Sequence, residues 1–201
     1  MNIVKITETI RQRIKRDGTV NVIIAGATCS GKSTLSDMLV KVFNDEVTVA
    51  VVRQDDYFKD LSEMPKIAKG FLTDSINAFH SQEFRQDVDL LLTTGKIVIP
   101  QYDVSQNLRI AKDKQITSGD IIIFEGLHTI SLLRGIEKSI SIYIDTPLEI
   151  CLERRVARDT GLYGIPENRI RENFTECIIP MYRSYIAPQM KMADIVIEGR
   201  E

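Results

Sequence analysis

The chain has 201 residues, 43% of them hydrophobic and 27% charged, with a formal net charge of −2. This is the size of one compact domain with a sizeable core, and the composition of a soluble globular protein. The balance argues against a protein that coats nucleic acid or an anionic membrane, and no run is long and apolar enough to span a bilayer.

In chain order, Ile6, Ile10 and Ile14 recur at helical spacing, so Ile6 to Lys15 is expected as an amphipathic helix that Asp17-Gly18 ends. Val20 to Ala25 is a short apolar run rich in β-branched residues, hence a buried strand. A helix over Thr34 to Phe43 and a strand over Val47 to Arg53 follow. Ser81 to Leu92 is predicted helical, and Ile97 to Pro100 a short extended piece. Ile121 to Phe124 and Ile140 to Ile144 are further buried strands. Pro147 to Asp159 is expected as a charged helix, Glu167 to Tyr185 as a longer helical stretch, and Asp194 to Ile197 as a last strand. Short apolar strands alternating with helices imply βαβ units and a parallel sheet covered on both faces. No repeat, low-complexity segment or linker divides the chain, so residues 1–201 are expected to form a single domain.

The start, MNIVKITETIRQRIKRDG, lacks the apolar core of a secretory signal. Cys29, Cys151 and Cys177 have no metal-like spacing and read as reduced thiols of a cytoplasmic protein. With His80 and His128 alone, a histidine-rich metal site is excluded.

The strongest local signal is Gly26-Ala27-Thr28-Cys29-Ser30-Gly31-Lys32-Ser33-Thr34, which matches G-x-x-x-x-G-K-[ST] at each fixed position. It follows an apolar strand and opens a helix, the context that gives this motif meaning. Its glycines let the backbone approach phosphate oxygens, and its amides with the helix N-terminus form a positive concavity. Lys32 is expected to reach the β- and γ-phosphates of ATP, and Ser33 to ligate Mg²⁺. Cys29 is read as tolerated filler with no chemical role.

A phosphate loop alone does not separate kinases from GTPases or motor ATPases. No N-K-x-D-type guanine-reading segment is present, and a motor ATPase usually needs more chain. Gln54-Asp55-Asp56-Tyr57-Phe58-Lys59 puts two carboxylates at a strand's C-terminal end, where open α/β sheets bind ligands. A carboxylate there can accept the proton of an attacking hydroxyl. Glu125 ends the buried run Ile121 to Phe124, the Walker-B arrangement, opposite Ser33 in the Mg²⁺ shell. His128, just beyond, is read as a structural loop residue. On the charged helix, Arg155 and Arg158 are i, i+3 neighbours and share a face, where they can neutralise a transferring phosphoryl group. Gly161 to Pro166 (GLYGIP) has the look of the flexible turn of a closing lid.

Together, GATCSGKST, QDDYFK, DSINAF, PQYD, IIIFEG, IDTPLEICLERRVARD and KMADIVI, in that order, resemble the uridine kinase-like branch of the P-loop kinases, the group that includes phosphoribulokinase and pantothenate kinase. The resemblance runs from about Val20 to Ile197; QDDYFK is also similar to nicotinamide riboside kinases. It implies an α/β three-layer P-loop sandwich, with a mostly parallel five-stranded sheet and a small lid and substrate-binding segment. It implies ATP and Mg²⁺ as cofactors, Asp55 as the base for a 5′-hydroxyl, and Asp74 as the carboxylate on the ribose hydroxyls. Arg155 falls near the sugar, Arg158 near the phosphates, Tyr102 in the substrate pocket, and Asn173 where uridine kinases carry glutamine. Three departures stand out: Asn107 replaces a base-contacting histidine, Ile165 an arginine, and Thr73 an aromatic. The chain stops at Glu201 soon after its last strand, so the family's C-terminal helix is not expected, and the N-terminal helix is a candidate to cover part of that surface.

The sequence thus points to a kinase of a small-molecule hydroxyl, first of all a uridine- or cytidine-like ribonucleoside. The alternatives are a kinase of another metabolite, such as nicotinamide riboside or pantothenate, and an ATP-binding regulatory module that transfers nothing. Neither nucleic acid nor membrane is expected as a partner; a homo-oligomer is left open, since relatives are often dimers or tetramers.

Overall fold

The structure is a computed structural model that describes residues 3–199. Helix α1 (Ile3–Asp17) packs its Ile6 and Ile10 stripe against the sheet. It is followed by β1 (Val20–Gly26), α2 (Lys32–Phe43) and β2 (Val49–Arg53). The short hairpin β3 (Lys66–Ile67) and β4 (Gly70–Phe71) precedes α3 (Ser81–Thr94). Next come the antiparallel ribbon β5 (Lys96–Asp103) and β6 (Leu108–Thr117), then β7 (Ile121–Glu125), α4 (Thr129–Leu132) and β8 (Ser139–Asp145). Helices α5 (Leu148–Tyr163) and α6 (Glu167–Asn173) lead into a helical run through α7 (Ile179–Met181) to Met192, and β9 (Ile195–Glu198) closes the sheet.

Five strands pair in parallel in the order β2-β7-β1-β8-β9. β1 lies in the middle and all seven of its residues are buried, which is why it reads as an unbroken apolar run. Its side chains still alternate between faces. Val22 and Ile24 join Leu35, Leu39 and Phe43 of α2 on one side. Ile23 and Ala25 join Phe84, Val88 and Leu91 of α3 on the other. The result is the three-layer sandwich expected from the sequence.

Parallel strands align their C-terminal ends. Gly26, Arg53, Glu125 and Asp145 therefore finish on one edge, and the segments that follow them frame one cleft of about 1500 Å³.

Two of the differences from the sequence reading concern the segments around the cleft. Ile97 to Pro100 is part of an eight-residue strand whose partner, β6, is mostly exposed, with Lys112 and Lys114 interrupting its apolar residues, and was not anticipated. Pro100, which lacks an N–H, sits where the ladder shifts register between Ile99 and Gln101. In GLYGIP, Gly161 to Tyr163 form the last turn of α5, and only Gly164 to Pro166 make the link to α6. The segment is a tight corner between two helices, narrower than the lid turn expected.

Candidate active site

Gly26 ends β1 with φ 155°, and a Cβ there would lie 2.7 Å from the carbonyl oxygen of Ile144, so only glycine fits. The loop then reverses through Cys29, itself at φ 56°, into the N-terminus of α2. Thr28 to Thr34 line the cleft. Gly26 and Ala27 lie behind its wall and contribute carbonyls: Lys32 Nζ donates to Gly26 O at 3.2 Å and to Ala27 O at 2.7 Å. The buried Thr146 after β8 braces the loop, donating from Oγ1 to Ser30 O at 2.9 Å.

Ser33 Oγ donates to Glu125 Oε2 at 3.0 Å, so the motif hydroxyl and the carboxylate ending β7 meet across the sheet edge. Among the described residues, no group of three or more His, Cys, Asp or Glu side chains is arranged to hold a metal ion by itself. A hydroxyl beside a carboxylate is a hard-oxygen donor set that suits Mg²⁺ shared with phosphate oxygens.

Asp55 belongs to a single 3₁₀ turn, Gln54–Tyr57, at the end of β2. Its neighbours are tied down and turned away. Gln54 Oε1 accepts from the His128 amide at 2.9 Å, and Lys114 Nζ on β6 donates to Asp56 Oδ2 at 3.3 Å. The buried Tyr57 hydroxyl donates to Asp87 Oδ2 on α3 at 2.9 Å. Asp55 alone of the four faces the cleft. Its side chain is open to the cleft yet seated deep among protein atoms. That enclosure, with Glu125 and Asp74 nearby, outweighs the pull of Lys32 and Arg158 and pushes its carboxyl up to about 6.

Asp74 is buried at 3% exposure. Thr73 Oγ1 donates to its Oδ1 at 3.2 Å, and Arg155 Nη1 lies 3.7 Å from the same oxygen. Oδ2 has no partner. Burial raises its pKa against the pull of Arg155 and Lys32. Behind it, His128 Nε2 sits 3.0 Å from the Asp74 carbonyl, and burial pushes His128 down to about 4, so the ring is neutral near pH 7. The structural reading of His128 agrees with this placement. The Tyr102 hydroxyl is buried, also without a partner, and its ring lies 5.2 Å from Phe58, which stacks on Phe79 at 4.1 Å. Asn107, at φ 51° in the β5–β6 turn, Asn173 and Ile165 complete this end of the cleft.

On α5, the buried Asp159 organises both arginines. It accepts from Arg155 Nε at 3.2 Å and from Arg158 Nε at 2.7 Å. Arg154 Nη1 donates to Cys29 O at 3.2 Å, joining the helix to the phosphate loop. The residues given a catalytic, nucleotide, metal or acceptor role from the sequence therefore line one cleft, except Gly26 and Ala27. Sequence reasoning passed over Asp159, Arg154, Gln54 and Arg53. Asp159 had a usable signal, an acid one and four residues after two arginines on a helix; the contacts of Gln54 and Arg53 cross between strands and left none.

A central parallel strand running into a phosphate-binding loop, with an acid beside the loop serine and a second acid facing a pocket, defines a P-loop kinase. The Phosphoribulokinase / Uridine kinase family matches residues 22–200, and the chain belongs to that family. It is 33% identical over 181 residues to a uridine kinase of Tolumonas auensis, covering 87% of this chain and 84% of that protein. In fold it is similar to a proposed fructose transport system kinase of Silicibacter sp. TM1040, with a TM-score of 0.77 at 18% identity over 98% of this chain and 99% of that one. It is also similar to the phosphoribulokinase of Rhodobacter spheroides, with a TM-score of 0.59 at 17% identity over 89% and 70%. The protein is an ATP-dependent phosphotransferase acting on a hydroxyl group, which sets aside a module that transfers nothing. No described helix is long and apolar enough to cross a membrane.

Proposed function

We propose that this kinase transfers the γ-phosphoryl group of ATP to the 5′-hydroxyl of a ribonucleoside of the uridine or cytidine type. The observation that carries the reading is that Asp55 shares one cleft with the phosphate loop and with Asp74, whose Oδ2 is buried without a partner. A buried carboxylate oxygen of this kind is costly unless a ligand donates to it, and a sugar hydroxyl does so. The named uridine kinases among the relatives support the choice of acceptor.

Asp55, with a pKa near 6, is largely ionised at neutral pH yet basic enough to take the proton of the attacking hydroxyl. Lys32 releases the two loop carbonyls and turns its charge to the β- and γ-phosphates. Arg155 and Arg158, oriented by Asp159, face the charge that spreads over the moving phosphoryl group. Asp74 orients the sugar, and Phe58, Tyr102 and Asn107 border the base. Ser33 and Glu125 would hold Mg²⁺, which would supply neutralisation of the phosphate charge.

A second acceptor class is favoured by Leu61, Met64, Phe71 and Ile165, apolar side chains of the same cleft that give a base's polar edge no partner. Another hydroxylated metabolite, such as nicotinamide riboside or pantothenate, fits the same chemistry. ADP release with Mg²⁺-ATP, measured against uridine, cytidine, nicotinamide riboside, pantothenate and no acceptor, decides between them. Uridine or cytidine is expected to stimulate turnover; stimulation by another acceptor alone would overturn the pyrimidine assignment.

A further inference from the structure

Arg53 lines the cleft at the nucleotide end and has no part in the scheme above. It is the last residue of β2, and the strand register places it beside Glu125, the last residue of β7. Its Nε donates to Glu125 Oε1 at 2.9 Å, and its Nη2 reaches Asp37 Oδ1 on α2 at 3.3 Å. The other oxygen, Oε2, is the one that accepts from Ser33 Oγ. The Glu125 side chain is 4% exposed and that of Arg53 40%. A buried carboxylate is thus gripped at one oxygen by a cation anchored on a neighbouring helix, while its second oxygen faces the motif hydroxyl.

Two consequences follow from that arrangement. The terminal torsion of a glutamate is soft, and the Arg53 contact holds it with Oε2 toward Ser33. The guanidinium also places a full positive charge on the carboxylate that would hold a divalent ion, where it would oppose the ion's charge. A pair that only offsets the burial of Glu125 would affect folding stability and leave ion affinity untouched.

We infer that Arg53 is a positioning residue that sets the divalent-cation requirement of the kinase, orienting Glu125 for the ion while weakening the ion's hold. The inference rests on the reading of Ser33 and Glu125 as the cation's residues. Its test is Mn²⁺ binding to the full chain saturated with a non-hydrolysable ATP analogue, followed by the electron paramagnetic resonance signal of free Mn²⁺. Arg53→Gln should bind Mn²⁺ about three- to tenfold more tightly, from the loss of one nearby charge partly screened by water. Its turnover should saturate at correspondingly lower Mg²⁺ and reach a lower maximum, because Glu125 is no longer held. Arg53→Lys keeps the charge without the planar fork, so cation affinity should return to the wild-type value while maximal turnover stays low. Unchanged or weaker Mn²⁺ binding in Arg53→Gln would overturn the inference, whatever happens to its melting temperature. Ser33→Ala tests the site itself: it should weaken Mn²⁺ binding, and no effect would remove the site reading and the Arg53 inference together.

Discussion

The two ends of the cleft are built on opposite plans. At the nucleotide end, consecutive residues Thr28 to Thr34 form the wall, and most of the charged and polar side chains pair within it: Lys32 on loop carbonyls, Ser33 on Glu125, and Arg155 and Arg158 on Asp159, with the Ser30 hydroxyl buried and unpartnered. At the acceptor end, Asp74, Tyr102, Asn107 and Asn173 arrive from separate segments, and Asp74 Oδ2 and the Tyr102 hydroxyl are left without partners. The first end holds its charged side chains in pairs before ligand binds; the second keeps a carboxylate oxygen and a phenol hydroxyl in reserve for a ligand. Substitutions at the two ends should therefore separate nucleotide effects from acceptor effects.

The largest effect is expected at the junction. Asp55→Asn should lower kcat by roughly 10²- to 10⁴-fold, the usual worth of a general base, with ATP affinity unchanged. Near-wild-type turnover would remove Asp55 from the mechanism. At the acceptor end, Asp74→Ala should raise the acceptor KM by roughly tenfold to a hundredfold, as for a lost hydrogen bond to a charged group, and leave the ATP KM alone. A parallel rise in the ATP KM would mean that the ends are not independent.

The titration of Asp55 sharpens the same contrast. Since its carboxyl is pushed up to about 6, kcat/KM for the acceptor should fall with unit slope as pH drops below about 6. The same shift has a stability sign. A raised carboxyl pKa means that the folded protein holds its proton more tightly than the unfolded chain, so the ionised group costs stability as pH rises through about 6. Asp55→Asn should accordingly raise the melting temperature at pH 8 and not at pH 3, and equal shifts at both would refute this. The smallest effect is expected for Tyr102→Phe, which removes a partnerless hydroxyl and should stabilise the ligand-free protein by ~1 kcal/mol or less while weakening acceptor binding. Calorimetry with and without acceptor reads both.

The contrast also explains what the sequence could tell. The phosphate loop is contiguous, and its residue types are dictated by backbone geometry, as at Gly26. The buried strands were legible because parallel central strands must be apolar on both faces. β6 was not: Leu108–Thr117 is mostly exposed and charged, and it is a strand because it completes the ladder of β5 and sends Lys112 to Asp87 and Lys114 to Asp56. The helix α5 runs further than its charged core suggested because one exposed glycine does not break a helix: the ladder continues through Gly161 and is ended by Gly164, in the left-handed conformation with its amide on the Asp159 and Thr160 carbonyls. The acceptor-end residues were reached through family resemblance, since nothing local in Thr73-Asp74 or Tyr102 announces a shared pocket. The partner set of Arg53 depends on strand register, which no local pattern encodes.

The last described residue, Gly199, stands against the phosphate loop although it is far from it in sequence. Its amide donates to Asp145 O at 2.8 Å, and a Cβ at Gly199 would fall 1.7 Å from Thr146 Oγ1 and 3.2 Å from Ser30 O. Thr146 is the residue that braces the loop through Ser30. The residue after β9 is thus fitted against the threonine that holds the loop, so bulk added at Gly199 would be felt at Ser30.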